Sequence, residues 1–384
     1  MTEWIGLAEC ALRAIHPRLP LVDAARCVAR HEVEERCSRC ASVCPRTAIG
    51  LSPGPVVDGA ACDGCGACAA ACPTGAIEIA DIGCQLQAWL ARAAVMPSGR
   101  AGVACDRAPS SSLGDGWPVA VVPCLAGLRP ADLVAAAARS AVTVTLTSAD
   151  CANCERAAAA TTIVQTIAIA RDALAALGSP MVIERVTLDA RRPVQRPGGP
   201  IVSRRALFGM ARERARRVAI EVARSTETES ERVARGGYVP AWRQRLEADL
   251  VVLGRAGRTT GALLPSELGT ADPVVVGPCD GCALCTLACP LHALSDDVGT
   301  IRVDGASCTA CGVCAHVCPT AALVVRPRDV ASLWEQERAI VAATAPAANP
   351  ISSERLTERA TAAERRMRDA AARQLLRLPG RGPA

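Results

Sequence analysis

Lysine is absent from this chain, so all 43 basic residues are arginines. Without lysine there is neither a Schiff-base amine nor the phosphate loop G-x-x-x-x-G-K-[ST]. Aromatic residues make up 2% of the sequence, which disfavours the stacking platforms that bind single-stranded nucleic acid. The net charge of +5 is mild for 384 residues. We therefore expect no nucleic-acid partner.

Long apolar runs are also missing. No stretch reaches the ~18 uninterrupted apolar residues that suit a membrane span, so no transmembrane segment is expected. The start, Met1-Thr2-Glu3-Trp4, lacks the basic, apolar and small-residue regions of a secretory signal. The four histidines form no Ser-His-Asp arrangement or histidine metal motif. These features predict a cytoplasmic protein without catalytic residues.

Cysteine, in contrast, is abundant, with 22 in the chain. In a cytoplasmic protein such cysteines are best interpreted as reduced metal ligands. A C-x2-C-x2-C-x3-C-P run, whose spacing folds thiolates around an iron–sulfide cubane, occurs three times. A fourth Cys-Pro pair, Cys44-Pro45, has the same Ala-aliphatic ending as the runs. The three runs are Cys62, Cys65, Cys68, Cys72; Cys279, Cys282, Cys285, Cys289; and Cys308, Cys311, Cys314, Cys318.

An internal repeat surrounds these cysteines. The string Val57-Asp58-Gly59-Ala60-Ala61-Cys62 recurs as Val303-Asp304-Gly305-Ala306-Ser307-Cys308. Together with the runs, it makes residues 27–80 and 272–326 resemble two bacterial dicluster ferredoxin modules. Zinc also binds paired C-x2-C motifs, but sixteen cysteines in cubane spacing with following prolines favour iron–sulfur clusters. The resemblance implies electron transfer.

Crossed ligation in that family implies the ligand sets of [4Fe–4S] clusters, because the last cysteine of each run reaches the other cluster. Three sets are regular: Cys279, Cys282, Cys285 with Cys318; Cys308, Cys311, Cys314 with Cys289; and Cys62, Cys65, Cys68 with Cys44.

The fourth set is irregular, because Glu34 stands where a cysteine belongs, three residues before Cys37. Cys37, Cys40 and Cys72 leave one position open. Cys27, ten residues upstream of Cys37, could supply the fourth thiolate, which is the arrangement we favour. Alternatively, Glu34 could supply an oxygen, or the site could hold a three-iron cluster. Cys10 lies on an apolar, helix-like stretch and is expected to be a buried thiol.

Between the modules, short apolar runs alternate with alanine-rich helical stretches. We expect strands at 102–105, 119–124, 142–147 and 181–186, and helices at 85–94, 130–139 and 155–177, the last ending at Gly178. This alternation predicts a parallel sheet with helices on both faces. Ligands bind such sheets at the carboxyl ends of the strands. Four cysteines fall there and predict a metal site: Cys105, Cys124, Cys151 and Cys154.

The strings Val121-Val122-Pro123-Cys124-Leu125 and Asp150-Cys151-Ala152-Asn153-Cys154-Glu155 resemble the delta subunit of methyl-viologen-reducing hydrogenases. The resemblance implies a [2Fe–2S] cluster and a hydrogenase or formate dehydrogenase as partner. The family tends to have paired cysteines at the position of Cys105, so Cys84 remains an alternative ligand.

The fold class expected is therefore mixed α/β and α+β, with two ferredoxin-like modules flanking a parallel-sheet domain. The expected units are a first module (1–82), the α/β domain (83–190), an arginine-rich helical connector (191–265), a second module (266–327) and a helical tail (328–384). The connector holds twelve arginines against five glutamates between positions 191 and 235. It is either a solvated helical face or a docking surface for an acidic partner.

The leading function is a non-catalytic electron-transfer subunit of an oxidoreductase complex, with four [4Fe–4S] clusters and one [2Fe–2S] cluster. The alternative is a ferredoxin-like maturation factor for a molybdenum or tungsten enzyme. The string Ser203-Arg204-Arg205-Ala206-Leu207-Phe208 favours this alternative, because related strings occur in such ferredoxins. Donor, acceptor, potentials and oligomeric state are not encoded in any readable motif.

Overall fold

The computed structural model describes residues 19–30, 37–51, 54–108, 116–188, 239–257, 261–279, 281–297, 300–334 and 337–341. The predictions for Cys10, for Glu34, for most of the connector and for the tail beyond 341 lie outside these residues. Within the described part, no helix is both long enough and apolar enough to cross a bilayer.

Where it is described, the N-terminal module contains four two-residue strands, two short α-helices, and 3-10 turns at Ala24–Arg26 and Val28–Arg30. Strands β1 (Leu21–Val22) and β4 (Ile77–Glu78) pair antiparallel, as do β2 (Ile49–Gly50) and β3 (Val56–Val57). Helices α1 (Arg39–Ser42) and α2 (Ala67–Ala71) each follow the first cysteines of a loop. The outer strand pair therefore joins the beginning of the module to its end.

The middle domain is built on a parallel sheet, as predicted. Its strands are β5 (Arg100–Cys105), β6 (Val119–Val122), β7 (Thr143–Ala149) and β8 (Val182–Leu188), in the order β6-β5-β7-β8. Helix α3 (Ala80–Ala93) precedes β5, α4 (Pro130–Ala138) precedes β7, and α5 (Ala160–Ala176) precedes β8.

Local signals explain the ends of these helices. Pro130 occupies the first turn of α4, and the Asp132 carboxylate accepts the Arg129 amide at 2.8 Å. After α5 the chain turns at Gly178, whose φ of 65° suits glycine. The α5 helix begins at Ala160, later than predicted, because Ala157–Ala159 forms a 3-10 turn.

The expectation of helices on both faces of the sheet is wrong for the described residues. Helix α4 contacts both α3 and α5, which places the three helices in one layer. The strand order explains this. The β6-to-β7 and β7-to-β8 crossovers both move in the same direction along the sheet, and right-handed crossovers then place both helices on one face. The other face is partly open, with Val121, Val182 and Val186 exposed.

Helix α6 (Ala241–Gly257) joins the middle domain to the C-terminal module. It packs along α4, and its apolar stripe Trp242, Leu246, Leu250 and Leu253 is buried at helical spacing. This stripe belongs to one continuous core that also contains residues of both modules, including Cys65 and Leu333. The end of the predicted connector is thus an integral part of the folded structure.

The C-terminal module repeats the pairing of the first. Its strands are β9 (Leu263–Leu264), β10 (Ala271–Val275), β11 (Leu294–Asp297), β12 (Thr300–Asp304), β13 (Leu323–Asp329) and β14 (Glu337–Val341). Helices α7 (Leu284–Leu287) and α8 (Val313–His316) lie in its cysteine loops. Strand β10 pairs with β13 and β11 with β12, as β1 pairs with β4 and β2 with β3.

Two further strands lie outside the bounds expected for the C-terminal module. Strand β9, placed in the connector, pairs with β13, and β14, placed in a helical tail, pairs with β12. Both satisfy backbone groups at sheet edges that would otherwise stay open. The strand pairing of the C-terminal module therefore extends to 341, and the described part of the expected tail contains a 3-10 helix at Val330–Trp334 and a strand at Glu337–Val341.

Candidate metal centres

The cysteine loops share an unusual backbone. Residues with positive φ occur three positions after the cysteine of all four Cys-Pro pairs: Thr47, Gly75, His292 and Ala321. They occur again two and four positions after the first cysteine of all three full runs: Gly64 and Gly66, Gly281 and Ala283, Ala310 and Gly312. Non-glycine residues adopt this conformation only where the surrounding structure imposes it, and such strain clusters at functional sites.

The repeated string has a structural role. Asp58 accepts the Ala60 amide at 2.9 Å, and Asp304 accepts the Ala306 amide at the same distance. The carbonyls of these two aspartates also accept the Cys62 and Cys308 amides. Each repeat is therefore a side-chain-stabilised turn that delivers the first cysteine of a run.

Backbone amides point at the sulfurs. Ala48 donates to Cys44 Sγ, and Ala293 donates to Cys289 Sγ, both at 3.3 Å and both four residues after the cysteine. Amide donors to sulfur stabilise thiolates and tune the potential of a bound cluster. Because the arrangement is the same in both modules, we expect Cys44 and Cys289 to have the same role.

The N-terminal thiols form two groups. Cys40 interacts electrostatically with Cys72, Cys37 and Cys27, and all four contribute to one small apolar cluster. Cys68 interacts with Cys65, Cys62 and Cys44. Each group therefore combines cysteines from distant loops, and Cys27 lies with the irregular set.

The C-terminal thiols are arranged similarly. Cys314 interacts with Cys308, Cys311 and Cys289, and Cys285 interacts with Cys282 and Cys279. Cys318 packs at the margin of the apolar cluster that contains Cys285.

The middle-domain cysteines meet at the carboxyl edge of the sheet. Cys124 interacts with Cys105 and Cys151, and the Ala149 amide donates to Cys105 Sγ at 3.4 Å. Cys154 lies in the loop of Cys151, and its amide donates to the Cys151 carbonyl. The side chain of Cys84 lies outside the described part of the structure.

Burial controls the acidity of these thiols. It raises the pKa of Cys40 and Cys65 to about 12 and that of Cys124 to about 11, and neighbouring thiols add to the effect. Burial also raises the pKa of Cys68 and Cys314 well above the ordinary value. Because metal ligands must be deprotonated, a positively charged group has to offset this cost when it binds.

The donor set fits iron–sulfur clusters. The twenty cysteines with described side chains are free of disulfides, and soft thiolates suit these clusters. Among the described residues, no three His, Cys, Asp or Glu side chains gather closely enough for a single metal ion.

Buried arginines connect these loops, and no motif in the sequence predicts them. Arg129 donates to the Cys72 and Ala70 carbonyls, both at 3.0 Å, and stacks on Trp242 with 4.6 Å to the ring centroid. Arg243, which follows Trp242 in the chain, is fully buried and donates to the Cys308 carbonyl at 2.8 Å. This Arg129–Trp242–Arg243 unit links the two ferredoxin-like modules.

Comparison with protein families identifies two segments. Residues 55–78 and 301–324 each match the family described as the 4Fe-4S binding domain (Fer4). The matches cover the second half of each predicted module, with the runs that begin at Cys62 and Cys308. Neither the curated proteins nor the solved structures gave a match to the chain. The chain thus carries two ferredoxin-like 4Fe–4S binding segments, which support an iron–sulfur electron-transfer role.

Proposed function

We propose that the chain relays low-potential electrons between a dehydrogenase- or hydrogenase-type partner and an acceptor. It would hold four [4Fe–4S] clusters and a fifth centre, a [2Fe–2S] cluster, in the middle domain. Such clusters exchange single electrons when bound. The chain itself supplies thiolates, amide donors to sulfur and a buried, water-poor environment.

The observation that carries this proposal is the grouping of thiols across distant loops. Cys44 lies with the Cys62 run, and Cys289 lies with the Cys308 run. Crossed sets of this kind are the ligand pattern of paired cubanes. By the same pattern, Cys318 would complete the set of Cys279, Cys282 and Cys285.

For the irregular cluster, we assign Cys27 as the fourth ligand. Its interaction with Cys40 and its place in the same apolar cluster as Cys37 and Cys72 support this assignment. Ligation by Glu34 and a three-iron cluster are the competing arrangements.

The fifth centre would use Cys105, Cys124, Cys151 and Cys154. The parallel sheet delivers them to the carboxyl edge, where Cys105 ends β5 and Cys151 follows β7. Strands β5 and β7 are neighbours in the sheet, but the chain leaves them toward opposite edges, to β6 and to β8. Ligands bind open parallel sheets at such a position. Together with the resemblance to hydrogenase delta subunits, this placement favours a hydrogenase or formate dehydrogenase as partner.

Electrostatic contacts link each proposed module to the next. The guanidinium of Arg39, beside Cys40, acts electrostatically on Cys311 of the C-terminal module. On the other side, Cys65 interacts with Cys124 of the middle domain. We therefore order the relay from the C-terminal module through the N-terminal module to the middle domain.

The test is iron and sulfide analysis of the anaerobically purified full chain, with EPR during reductive titration. Four cubanes and one [2Fe–2S] signal are expected. A zinc-loaded chain without iron would overturn the proposal. Stable co-purification with a catalytic subunit supports the relay, whereas transient binding to an apo-enzyme would support the maturation factor.

A further inference from the structure

A buried arginine lies where the middle domain meets the N-terminal module. Arg156 is 7% exposed. Its Nε donates to Asp63 Oδ2 at 2.6 Å, and its Nη1 donates to the Pro123 carbonyl and lies 3.5 Å from Asp106 Oδ1. Its backbone amide donates to Cys154 Sγ at 3.5 Å.

Each of these partners adjoins or is a cysteine of a candidate centre. Asp63 follows Cys62, Asp106 follows Cys105, and Pro123 precedes Cys124. One residue thus contacts the N-terminal run and all three strand-end loops of the middle domain.

The charge of Arg156 acts on both sides of this junction. The guanidinium contacts Asp63, next to Cys62, and the Pro123 carbonyl, next to Cys124. A buried cation at this position stabilises the additional negative charge of a reduced cluster on either side, because the interaction is Coulombic and the site is poorly solvated. Its loss should therefore make both centres harder to reduce.

We propose that Arg156 is a positioning residue shared by two redox centres. It fixes the Cys62 loop against the strand-end loops, and it raises the reduction potentials of the cubane of Cys44, Cys62, Cys65 and Cys68 and of the middle-domain centre. The two centres then form one coupled pair at the end of the relay. This inference rests on the proposed function, since it presupposes that both sites hold clusters.

A purely structural ion pair is the competing explanation, and the sign of charge effects separates the two. Arg156→Gln removes a positive charge, whereas Asp63→Asn and Asp106→Asn each remove a negative one. Asp63 adjoins the cubane and Asp106 adjoins the middle-domain centre, so these two variants should act selectively. Loss of packing alone gives no reason for opposite signs.

The experiment is an EPR-monitored redox titration of the full chain carrying its clusters. In Arg156→Gln, the reduction equilibrium of both centres should fall about tenfold, which is 59 mV for one electron. Asp63→Asn should raise the cubane potential, and Asp106→Asn that of the middle-domain centre. Arg156→Lys should retain most of the wild-type value.

Arg107→Gln is the matched control. Arg107 is also close to Cys105, but it is exposed and pairs with Glu155 at 3.4 Å. Its removal should leave both potentials unchanged, because solvent screens exposed charges. The clusters of the C-terminal module provide an internal reference in every variant.

The outcomes separate the two levels of the argument. A wild-type chain without iron–sulfur signals overturns the proposed function and this inference together. Four cubanes without a fifth centre overturn the inference and leave the electron-transfer role intact. If Arg156→Gln does not accumulate, the selective rises expected at the cubane in Asp63→Asn and at the middle-domain centre in Asp106→Asn decide. Unchanged potentials, or shifts of the same sign in Arg156→Gln and the two aspartate variants, overturn the inference.

Discussion

Gly66 and Gly127 lie backbone to backbone at the junction of the N-terminal module and the middle domain. A Cβ at Gly66 would lie 3.1 Å from the Gly127 Cα, and a Cβ at Gly127 would lie 2.9 Å from the Cys65 carbonyl oxygen. The loop after Cys124 can therefore approach the Cys65 loop only because both residues lack side chains. These glycines, together with Arg156, set the spacing of the last two candidate centres.

Gly127→Ala should separate the two loops. Its Cβ would meet backbone atoms that cannot rotate away, and overpacking of this kind costs about 1–3 kcal/mol. We expect a lower thermal midpoint and a weaker magnetic interaction between the two reduced centres in EPR. Gly83→Ala is the control, because Gly83 lies in helix α3 with open space around it. It should stabilise by about 0.5–1 kcal/mol, and equal losses in both variants would contradict the packing argument.

Cys27→Ala tests the irregular centre. If Cys27 is a ligand, the variant should lose about four irons per chain or convert that centre to a three-iron cluster, visible by EPR in the oxidised state. The remaining centres should keep their signals. Cys10→Ala is the control and should retain full iron content. Full iron in Cys27→Ala, with loss in Glu34→Ala, would transfer the assignment to Glu34.

The sequence predicted the features that local patterns encode. Each strand of the middle sheet appeared as a short apolar run, so the positions of Cys105 and Cys124 at strand ends could be inferred before any fold was known. The Asp-Gly turn before Cys62 and Cys308 was likewise readable, because an aspartate followed by glycine favours a turn.

The predictions that failed concern features that are decided by tertiary contacts. Strand order decides on which face a crossover helix packs, and no local pattern encodes it. Strand β14 forms because β12 offers an open edge, which its own residues do not reveal. Arg156 and Asp63 meet across 93 positions of sequence. Because every strongly basic residue in this chain is an arginine, the sequence does not distinguish structural arginines from exposed ones.

Arg243→Met should destabilise the C-terminal module. Arg243 is fully buried and donates to the carbonyls of Gly305 at 2.5 Å and Cys308 at 2.8 Å, and it pairs with Glu247 at 2.8 Å. Glu247 keeps Arg328 as a partner at 3.1 Å, so the main cost is the loss of the buried donor to these carbonyls, about 1–3 kcal/mol. Denaturant unfolding, monitored by the loss of cluster absorbance, should have its midpoint at a lower denaturant concentration.

Arg245→Met is the matched control for that variant. Arg245 lies on the same helix but is only partly buried, so its removal should shift the transition much less. Equal shifts in the two variants would show that the helix, and not the contact with the Cys308 loop, is what stabilises the module.

Cys318 should react faster than Cys285, the buried thiol of the same proposed centre, when iron is absent. Burial raises its pKa, but the Thr320 hydroxyl and the amides of Leu323 and Ala322 outweigh that effect, so its pKa lies below the ordinary value of 9.0. Burial raises the pKa of Cys285 to about 11. At pH 8 the thiolate fraction of Cys318 should therefore exceed that of Cys285 at least about 100-fold, and the thiolate is the reactive form.

Alkylation by iodoacetamide, followed by mass spectrometry of the iron-free chain, measures this difference. Circular dichroism should first show that the fold is retained. Between pH 7 and 9 the Cys285 rate should rise about tenfold per pH unit, whereas the Cys318 rate should rise less steeply because its pKa is lowered. In the cluster-loaded chain both thiols should be protected. Equal rates at Cys318 and Cys285 in the iron-free chain would contradict this argument, because burial at Cys285 and the donors around Cys318 should shift the two pKa values in opposite directions.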